Sequence, residues 1–232
     1  FQAGVFGVAV GGQAWDRKFL NAWTPTFDAA AKRVAAQVRT SLYEYSIAVD
    51  GKLWPELYSC VWEPRFNPAT GKVVAPVRIG GQWGMAQDGQ IIWEPLFFQC
   101  WQQAFSQNGQ VLAAIVAPVF GEFTVAVNGK PWTSRFPVVT DLTVGADGGC
   151  VAALGSENNR NWRVMVDGRV WDGMWDMAWK PVISPRGNHV AVKVERGGRQ
   201  TILVDGRPID KEFDRVFEPV FSPDGTKLLV KA

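Results

Sequence analysis

Five residues with oxygen-bearing side chains recur along the chain at nearly constant spacing: Asp50, Asp88, Asn128, Asp167 and Asp205. Carboxylates repeated at one rim of a protein could hold a cation. However, a glycine follows each of them, and Asp-Gly and Asn-Gly are the dipeptides that form type I′ hairpin turns. Positions in successive repeats would also lie too far apart to share one ion. We therefore interpret these residues as turn residues and predict no metal site.

The single histidine, His189, lies beside the turn glycine Gly187 and has no carboxylate or cysteine near it in the sequence. A lone histidine of this kind is usually structural, and we interpret His189 in this way. The sequence contains no GxSxG, HExxH, P-loop, GxGxxG or EF-hand pattern. Separated carboxylates could still form a hydrolase site, but the acids expected near the inner strands are few, namely Glu63 and Glu218. We expect no catalytic residue, no cofactor and no enzyme activity.

The three cysteines are Cys60, Cys100 and Cys150, and no two of them form a CxxC pair. Neither a zinc site nor a disulfide framework is indicated, so we expect three reduced thiols. Reduced thiols are typical of a reducing compartment. We therefore expect a cytoplasmic protein that could lie peripherally at a membrane. A periplasmic location stays open as the alternative, because the sequence begins at Phe1 and a leader could precede it.

Charge and hydropathy exclude two classes of partner. The chain has 24 basic and 22 acidic residues and a net charge of +2, which gives no field that would concentrate nucleic acid. No stretch approaches the roughly 18 consecutive apolar residues of a membrane-spanning helix. Apolar residues make up 47% of the sequence, which is ample material for a folded core. We expect neither a nucleic-acid partner nor a transmembrane segment.

An internal repeat of about 39 residues organises the whole chain, and a period of this length indicates a repeat architecture. The turn glycines follow this period, at Gly12, Gly51, Gly89, Gly129, Gly168 and Gly206. An aromatic column keeps the same period, at Phe19, Tyr58, Phe97, Phe136, Trp175 and Phe213. Agreement between independent columns removes chance as the explanation.

Each repeat predicts four short antiparallel strands. A Pro-x-Phe strand is followed by a turn such as SPDG (222–225), a second strand, a variable loop, a third strand, the Asp-Gly turn and a fourth strand. Four strands per repeat of about 39 residues is typical of a β-propeller. We expect an all-β fold: one domain over residues 1–232, forming a closed six-bladed β-propeller. N-terminal and C-terminal strands would together complete the last blade and leave no open sheet edge at that seam.

The segments PVFSPDGTKLLV (219–230) and PVISPRGNHVAV (181–192) resemble the TolB-type, WD-repeat-like propellers, whose blades begin with the same run. This resemblance supports the fold and implies little about function, since propellers have many functions. The length and the paired tryptophans of each repeat also resemble the tryptophan-rich subunits of the Tmc-type transmembrane redox complexes of sulfate-reducing bacteria. That resemblance implies an accessory subunit of a membrane electron-transfer assembly, without a cofactor of its own.

Nine of the twelve tryptophans fall into two further periodic columns. The first column is Trp15, Trp54, Trp93, Trp132 and Trp171. The second column is Trp23, Trp62, Trp101 and Trp179. In the two remaining repeats this position holds Thr140 and Phe217 instead of tryptophan. Large rings that recur at the blade period would fill the wedge between neighbouring sheets. We therefore interpret both columns as structural.

Function is expected on the variable loops, because binding residues concentrate on loops held by a rigid scaffold. Aromatic residues and arginine dominate protein interfaces. The candidate interface residues, taken to lie outside the periodic columns, are Tyr43, Tyr45, Trp83, Phe120, Phe123, Arg160 and Trp162. The first hypothesis is a non-catalytic protein-binding subunit of a larger assembly. The alternative is a propeller that binds a small molecule or glycan, or a hydrolase, using a central channel.

Overall fold

The computed structural model describes residues 5–232, and all regular secondary structure in that range is β-strand. The all-β prediction is therefore confirmed. The chain divides into two compact units, of which the first ends at Gln103 and the second comprises Ala104–Ala232. Among the described residues, no helix has the length and hydropathy needed to cross a membrane. A single domain over residues 1–232 remains a prediction.

The first unit begins with a hairpin and continues with a four-stranded antiparallel sheet. The hairpin pairs β1 (Ala9–Val10) with β2 (Gln13–Ala14). The sheet has the order β3-β4-β5-β6, formed by β3 (Asn21–Phe27), β4 (Val34–Ser41), β5 (Glu44–Val49) and β6 (Lys52–Leu53). Spatial order equals chain order, so every connection within the sheet is a hairpin.

The second repeat of this unit has five strands because its first strand is broken in two. Its strands are β7 (Cys60–Val61), β8 (Arg65–Phe66), β9 (Val73–Ile79), β10 (Gln82–Gln87) and β11 (Gln90–Phe97). Both β7 and β8 pair with β9. They therefore act as the two halves of one first strand, and the predicted plan of four strands per repeat is retained.

The next two sheets repeat the four-stranded plan without a break in the first strand. One sheet contains β12 (Gln99–Phe105), in which the boundary between the units falls, followed by β13 (Leu112–Val119), β14 (Glu122–Val127) and β15 (Lys130–Pro131). The other contains β16 (Val138–Val144), β17 (Val151–Ser156), β18 (Trp162–Val166) and β19 (Arg169–Val170).

The fifth repeat again has a broken first strand, and the chain ends with a short hairpin. The fifth sheet contains β20 (Met177–Ala178), β21 (Val182–Ile183), β22 (Val190–Arg196), β23 (Arg199–Val204) and β24 (Arg207–Pro208). The hairpin pairs β25 (Val220–Phe221) with β26 (Leu228–Leu229). Each terminal hairpin is a two-stranded sheet, so ring closure and the number of blades remain predictions.

The second strand of each full sheet is the centre of the core. In β4, Val34, Ala36 and Val38 pack with Val8 and Phe19, whereas Ala35 belongs to a cluster on the opposite face. All residues from Val73 to Val77 in β9 are buried. Strands buried on both faces have continuous apolar sequences, because both alternating sets of side chains leave water.

Two glycines of the first unit test how closely these sheets pack. Gly81 and Gly89 have nearly the same φ, +89° and +88°. A Cβ on Gly81 would meet nothing within 4 Å, whereas a Cβ on Gly89 would lie 2.9 Å from Cδ of Pro55. Alanine at either position carries the left-handed penalty of about 1–2 kcal/mol, and at Gly89 it adds an overpacking cost of about 1–3 kcal/mol.

We expect Gly89→Ala to lower the free energy of unfolding by more than its matched control Gly81→Ala, as measured by urea denaturation. Equal losses for the two variants would show that the contact with Pro55 is not tight.

Candidate binding site

The recurring aspartates are turn residues, as the sequence predicted. Asp50 has φ of 49° and is followed by Gly51 at 82°, the left-handed pair of a type I′ turn. Its Oδ1 accepts a hydrogen bond of 2.8 Å from the backbone N–H of Val34. The same bond recurs at Asp88, Asn128, Asp167 and Asp205, with donors Val73, Leu112, Val151 and Val190. Each side chain therefore pins the start of a second strand.

His189 has a carboxylate partner that its sequence neighbourhood did not indicate. Its Nδ1 lies 2.7 Å from Oδ2 of Asp205, whose Oδ1 accepts the N–H of Val190. Arg33 occupies the same place in the first full sheet, where its Nε donates to Oδ2 of Asp50 at 3.1 Å. The shared position of an arginine and a histidine indicates a brace of the turn, which supports the structural interpretation of His189.

The first tryptophan column packs against turn glycines, which confirms its structural interpretation. A Cβ on Gly51 would lie 3.4 Å from Cγ of Trp15, and one on Gly206 would lie 3.5 Å from Cγ of Trp171. Each indole thus covers the glycine of the turn one repeat further along the chain. Trp54 and Trp93 are each only 6% exposed.

Three members of the second tryptophan column leave a cavity between them, so the prediction that this column fills the wedges between sheets holds only in part. Trp62 is 39% exposed, and Trp23 and Trp101 are half-buried. The physical reason is an irregularity in the first strand. In β3 the register with β4 shifts between Trp23 and Thr26, and Thr24 has φ of 42°. Bulges of this kind bend a strand and redirect its side chains.

Three tryptophans of the second column line one cavity in the first unit. The cavity has a volume of about 650 Å³. Its lining residues are Trp23, Thr24, Gln37, Tyr45, Cys60, Trp62, Glu63, Trp101 and Gln102. We call it the tryptophan cavity. Its volume falls in the range of about 300–1,000 Å³ typical of small-molecule sites.

Stacked aromatic pairs form two walls of the tryptophan cavity. The rings of Trp23 and Tyr45 are stacked with centroids 6.3 Å apart and an interplanar angle of 20°. Trp62 stacks on Trp83 with centroids 5.2 Å apart and an angle of 2°. Trp83 is 4% exposed and supports Trp62 from the protein side. Ring stacking therefore holds Trp23 and Trp62 in place, although both side chains are partly exposed to solvent.

Four candidate interface residues lie on the repeat period after all. Tyr45, Phe123 and Trp162 each form an isolated bridge to a member of the aromatic column, namely Tyr58, Phe136 and Trp175. Trp83 pairs with Phe97 in the same way. The four residues follow one another in successive repeats, at the same spacing as the columns found from the sequence. The prediction that they lie outside the repeat is therefore wrong, although their spacing of 38 to 40 residues already indicates the column in the sequence.

The other candidate interface residues are exposed. Tyr43 is 77% exposed and Phe120 is 82% exposed, each in the two-residue turn of a hairpin. Arg160 is exposed in the longer loop between β17 and β18, where its backbone N–H donates to Oδ1 of Asn158. Trp83, in contrast, is buried and presents almost no surface to a partner. The seven candidates thus separate into four that pair with the aromatic column and three at exposed loop positions.

A second, smaller cavity lies in the second unit and has a different character. Its volume is about 340 Å³, and its lining includes Trp179, Lys193, Arg215 and Phe217. Nζ of Lys193 lies 4.0 Å from the ring centroid of Trp179. Burial and the nearby charge of Arg215 lower the pKa of Lys193, against a smaller opposing effect of Glu195.

Charged groups suited to metal binding or hydrolysis are dispersed. Within residues 5–232, no group of three or more histidine, cysteine or acidic side chains could hold a metal ion. The Glu63 carboxylate in the tryptophan cavity accepts a hydrogen bond of 2.9 Å from Nη2 of Arg65. Glu218 lines the second cavity. These positions provide no pair of carboxylates that the structure brings together.

Comparison with known structures supports the fold. The Dos1 propeller matches with a TM-score of 0.51 and 12% identity, covering 90% of this chain and 65% of that chain. A eukaryotic initiation factor matches with a TM-score of 0.55 and 12% identity, covering 90% and 58%. TolB from Acinetobacter baumannii matches with a TM-score of 0.43 and 16% identity, covering 84% and 56%. The chain thus spans 56 to 65% of the length of these three structures.

The sheets and this similarity together define the chain as an all-β protein of propeller type. No protein-family model and no curated protein sequence matches the chain. Similarity to solved structures at such low sequence identity shows the fold alone, so function has to be argued from the residues of this chain.

The three cysteines differ in environment. Cys100 and Cys150 are buried, and Cys60 is half-buried at the tryptophan cavity. Burial raises the pKa of all three thiols; for Cys150, burial and then the Asp167 carboxylate raise the pKa to about 12. A raised pKa reduces the thiolate fraction at neutral pH, and the thiolate is the reactive form.

We expect N-ethylmaleimide to label Cys60 first in the folded protein, more slowly than it labels a free cysteine at pH 7. Because pH 7 to 8 lies below the raised pKa of Cys60, the labelling rate should rise about tenfold over that interval. Mass spectrometry of peptides would locate the label, and denaturant should expose all three thiols. Faster labelling of Cys100 or Cys150 would contradict this order.

Proposed function

We propose that the protein is a non-catalytic binding subunit that contacts a protein partner through aromatic residues at its hairpin tips. The observation that carries the proposal is the exposure of Tyr43 and Phe120. Large exposed aromatic side chains are enriched among the residues that dominate interface energy.

The turn geometry does not require these aromatic residues. The turns that join the second and third strands have two residues, and in two other repeats those residues are Gly80–Gly81 and Gly197–Gly198. In the first full sheet the turn is Leu42–Tyr43, and in the third it is Phe120–Gly121. Leu42 and Val119 beside the rings are also exposed, at 62% and 42%. A partner surface accounts for apolar groups that folding leaves in water.

The partner assembly is proposed to be a membrane redox complex, with this chain on its cytoplasmic side. This part of the proposal rests on the tryptophan-rich character that resembles the Tmc-type subunits, and on the reduced thiols expected of the three cysteines. The chain would contribute binding surface and no cofactor. Capture from native membranes in mild detergent identifies the partner.

We expect Tyr43→Ala combined with Phe120→Ala to release the captured partner while the melting temperature changes little. Truncation of one hot-spot ring commonly costs about 2 kcal/mol of binding energy, which is roughly a thirtyfold loss of affinity. Leu96→Ala is the matched surface control, because Leu96 is 65% exposed but lies on β11 rather than at a tip. Release by the control, or retention by the double variant, would contradict the proposed surface.

A second double variant separates binding from packing. Tyr45→Ala with Phe123→Ala removes two half-buried rings at bridge positions, so we expect it to lower the melting temperature. An unchanged melting temperature would show that these two rings do not contribute to packing.

We also propose that the six repeats close into a six-bladed ring. An isolated two-stranded hairpin is marginally stable in water, so β1–β2 and β25–β26 each need further strands. Ala35 pairs with Val49 in the first full sheet, and the equivalent positions of the split sixth repeat are Leu229 and Val10.

Val10→Cys with Leu229→Cys should therefore form a disulfide under mild oxidation, detected by peptide mass mapping, since paired strand positions meet the distance that a disulfide needs. The control pair Gln13→Cys with Leu229→Cys should not form one. Equal cross-linking of both pairs, or none by the first, would contradict closure.

A further inference from the structure

The tryptophan cavity is separate from the hairpin tips, and its walls are preorganised. All nine lining residues belong to the first unit. Tyr45 backs Trp23 and the buried Trp83 backs Trp62, each by ring stacking. Rings fixed in this way lose little conformational freedom when a ligand binds, which favours affinity.

The backbone beside the rings is held in an uncommon conformation. Thr24 and Gln102 follow Trp23 and Trp101, line the cavity and have φ of 42° and 52°. A β-branched residue with positive φ is a genuine outlier. Asp141 has φ of 56° at the same repeat position, where Thr140 stands in place of the tryptophan, so this backbone conformation belongs to the bulge of the first strand. In the first unit the bulge places Thr24 and Gln102 beside cavity tryptophans.

Three polar side chains that line the cavity, those of Thr24, Gln37 and Glu63, already have partners within the protein. Nε2 of Gln37 donates to the carbonyl oxygen of Val61 at 2.7 Å, and Oε1 of Gln37 accepts from Thr24 Oγ1 at 3.4 Å. Glu63 forms an ion pair with Arg65. The hydroxyl groups of a sugar would have to compete with these internal hydrogen bonds. A cation can bind ring faces directly, but Glu63 adds no net negative charge to attract one, because Arg65 neutralises its carboxylate.

We propose that the tryptophan cavity binds a planar, uncharged aromatic compound between its indole rings. Offset stacking and edge-to-face contacts with several rings suit such a ligand. The volume of about 650 Å³ accommodates a molecule of a few fused rings. Sugars and quaternary ammonium ions are the competing ligand classes that an experiment has to exclude.

The first test compares three probes by isothermal titration calorimetry at pH 7: 2-naphthol, cellobiose and tetramethylammonium. We expect 2-naphthol to bind with at least tenfold higher affinity than the other two. Tighter binding of cellobiose or tetramethylammonium, or no binding of 2-naphthol at its solubility limit, would overturn the proposal.

The second test locates the probe with matched variants. Trp62→Ala should weaken 2-naphthol binding at least tenfold, whereas Trp179→Ala should leave it unchanged, because Trp179 has the same repeat position but lies in the second cavity. An equal loss in the two variants would assign the site elsewhere.

The third test uses the wild-type protein, so that it holds even if Trp62→Ala does not fold. Cys60 lines the tryptophan cavity, whereas Cys100 and Cys150 do not. Saturating 2-naphthol should slow N-ethylmaleimide labelling of Cys60 at least fivefold without changing the other two cysteines. Binding of 2-naphthol without protection of Cys60 would overturn the assignment to this cavity.

Discussion

The hydrogen bond between the side chain of each Asp-Gly or Asn-Gly turn and the start of the second strand is the constraint on which each full sheet depends. In the first full sheet it joins Asp50 to Val34 across 16 residues. It places the last hairpin of the sheet against the first residue of the central strand. A backbone N–H at a buried strand end would otherwise lack a partner, at a cost of about 1–3 kcal/mol.

The same turn also determines how neighbouring repeats approach each other. The left-handed backbone at its second position favours glycine, and glycine leaves the space that an indole then covers, as Trp15 covers Gly51. One dipeptide therefore forms the turn, anchors the start of the second strand and contacts the tryptophan of a neighbouring repeat.

Periodic tryptophans have two different environments in this protein. In the first column Trp54 and Trp93 are buried and Trp15, Trp132 and Trp171 are half-buried. In the second column Trp23, Trp62 and Trp101 line one cavity. A residue with positive φ follows Trp23 and Trp101, whereas Trp62 lies where the first strand of its repeat is broken into two short strands. A repeated residue type therefore need not have a repeated role. Conversely, one repeat position can hold different residue types. Tyr43 and Phe120 occupy turn positions that glycine fills in other repeats.

The sequence by itself determined the repeat, the four-strand plan, the turn type and the structural role of the aspartates, because hairpin chemistry depends on a few adjacent residues. It also contained the column of Tyr45, Trp83, Phe123 and Trp162, which keeps the same period. Only the tertiary structure decided that Trp23, Trp62 and Trp101 line one cavity, and that Asp205 is the partner of His189. The bulge residues Thr24 and Gln102 share no residue type that would mark them. Whether a ring is buried or open depends on stacking partners from distant strands, and no local pattern specifies those contacts.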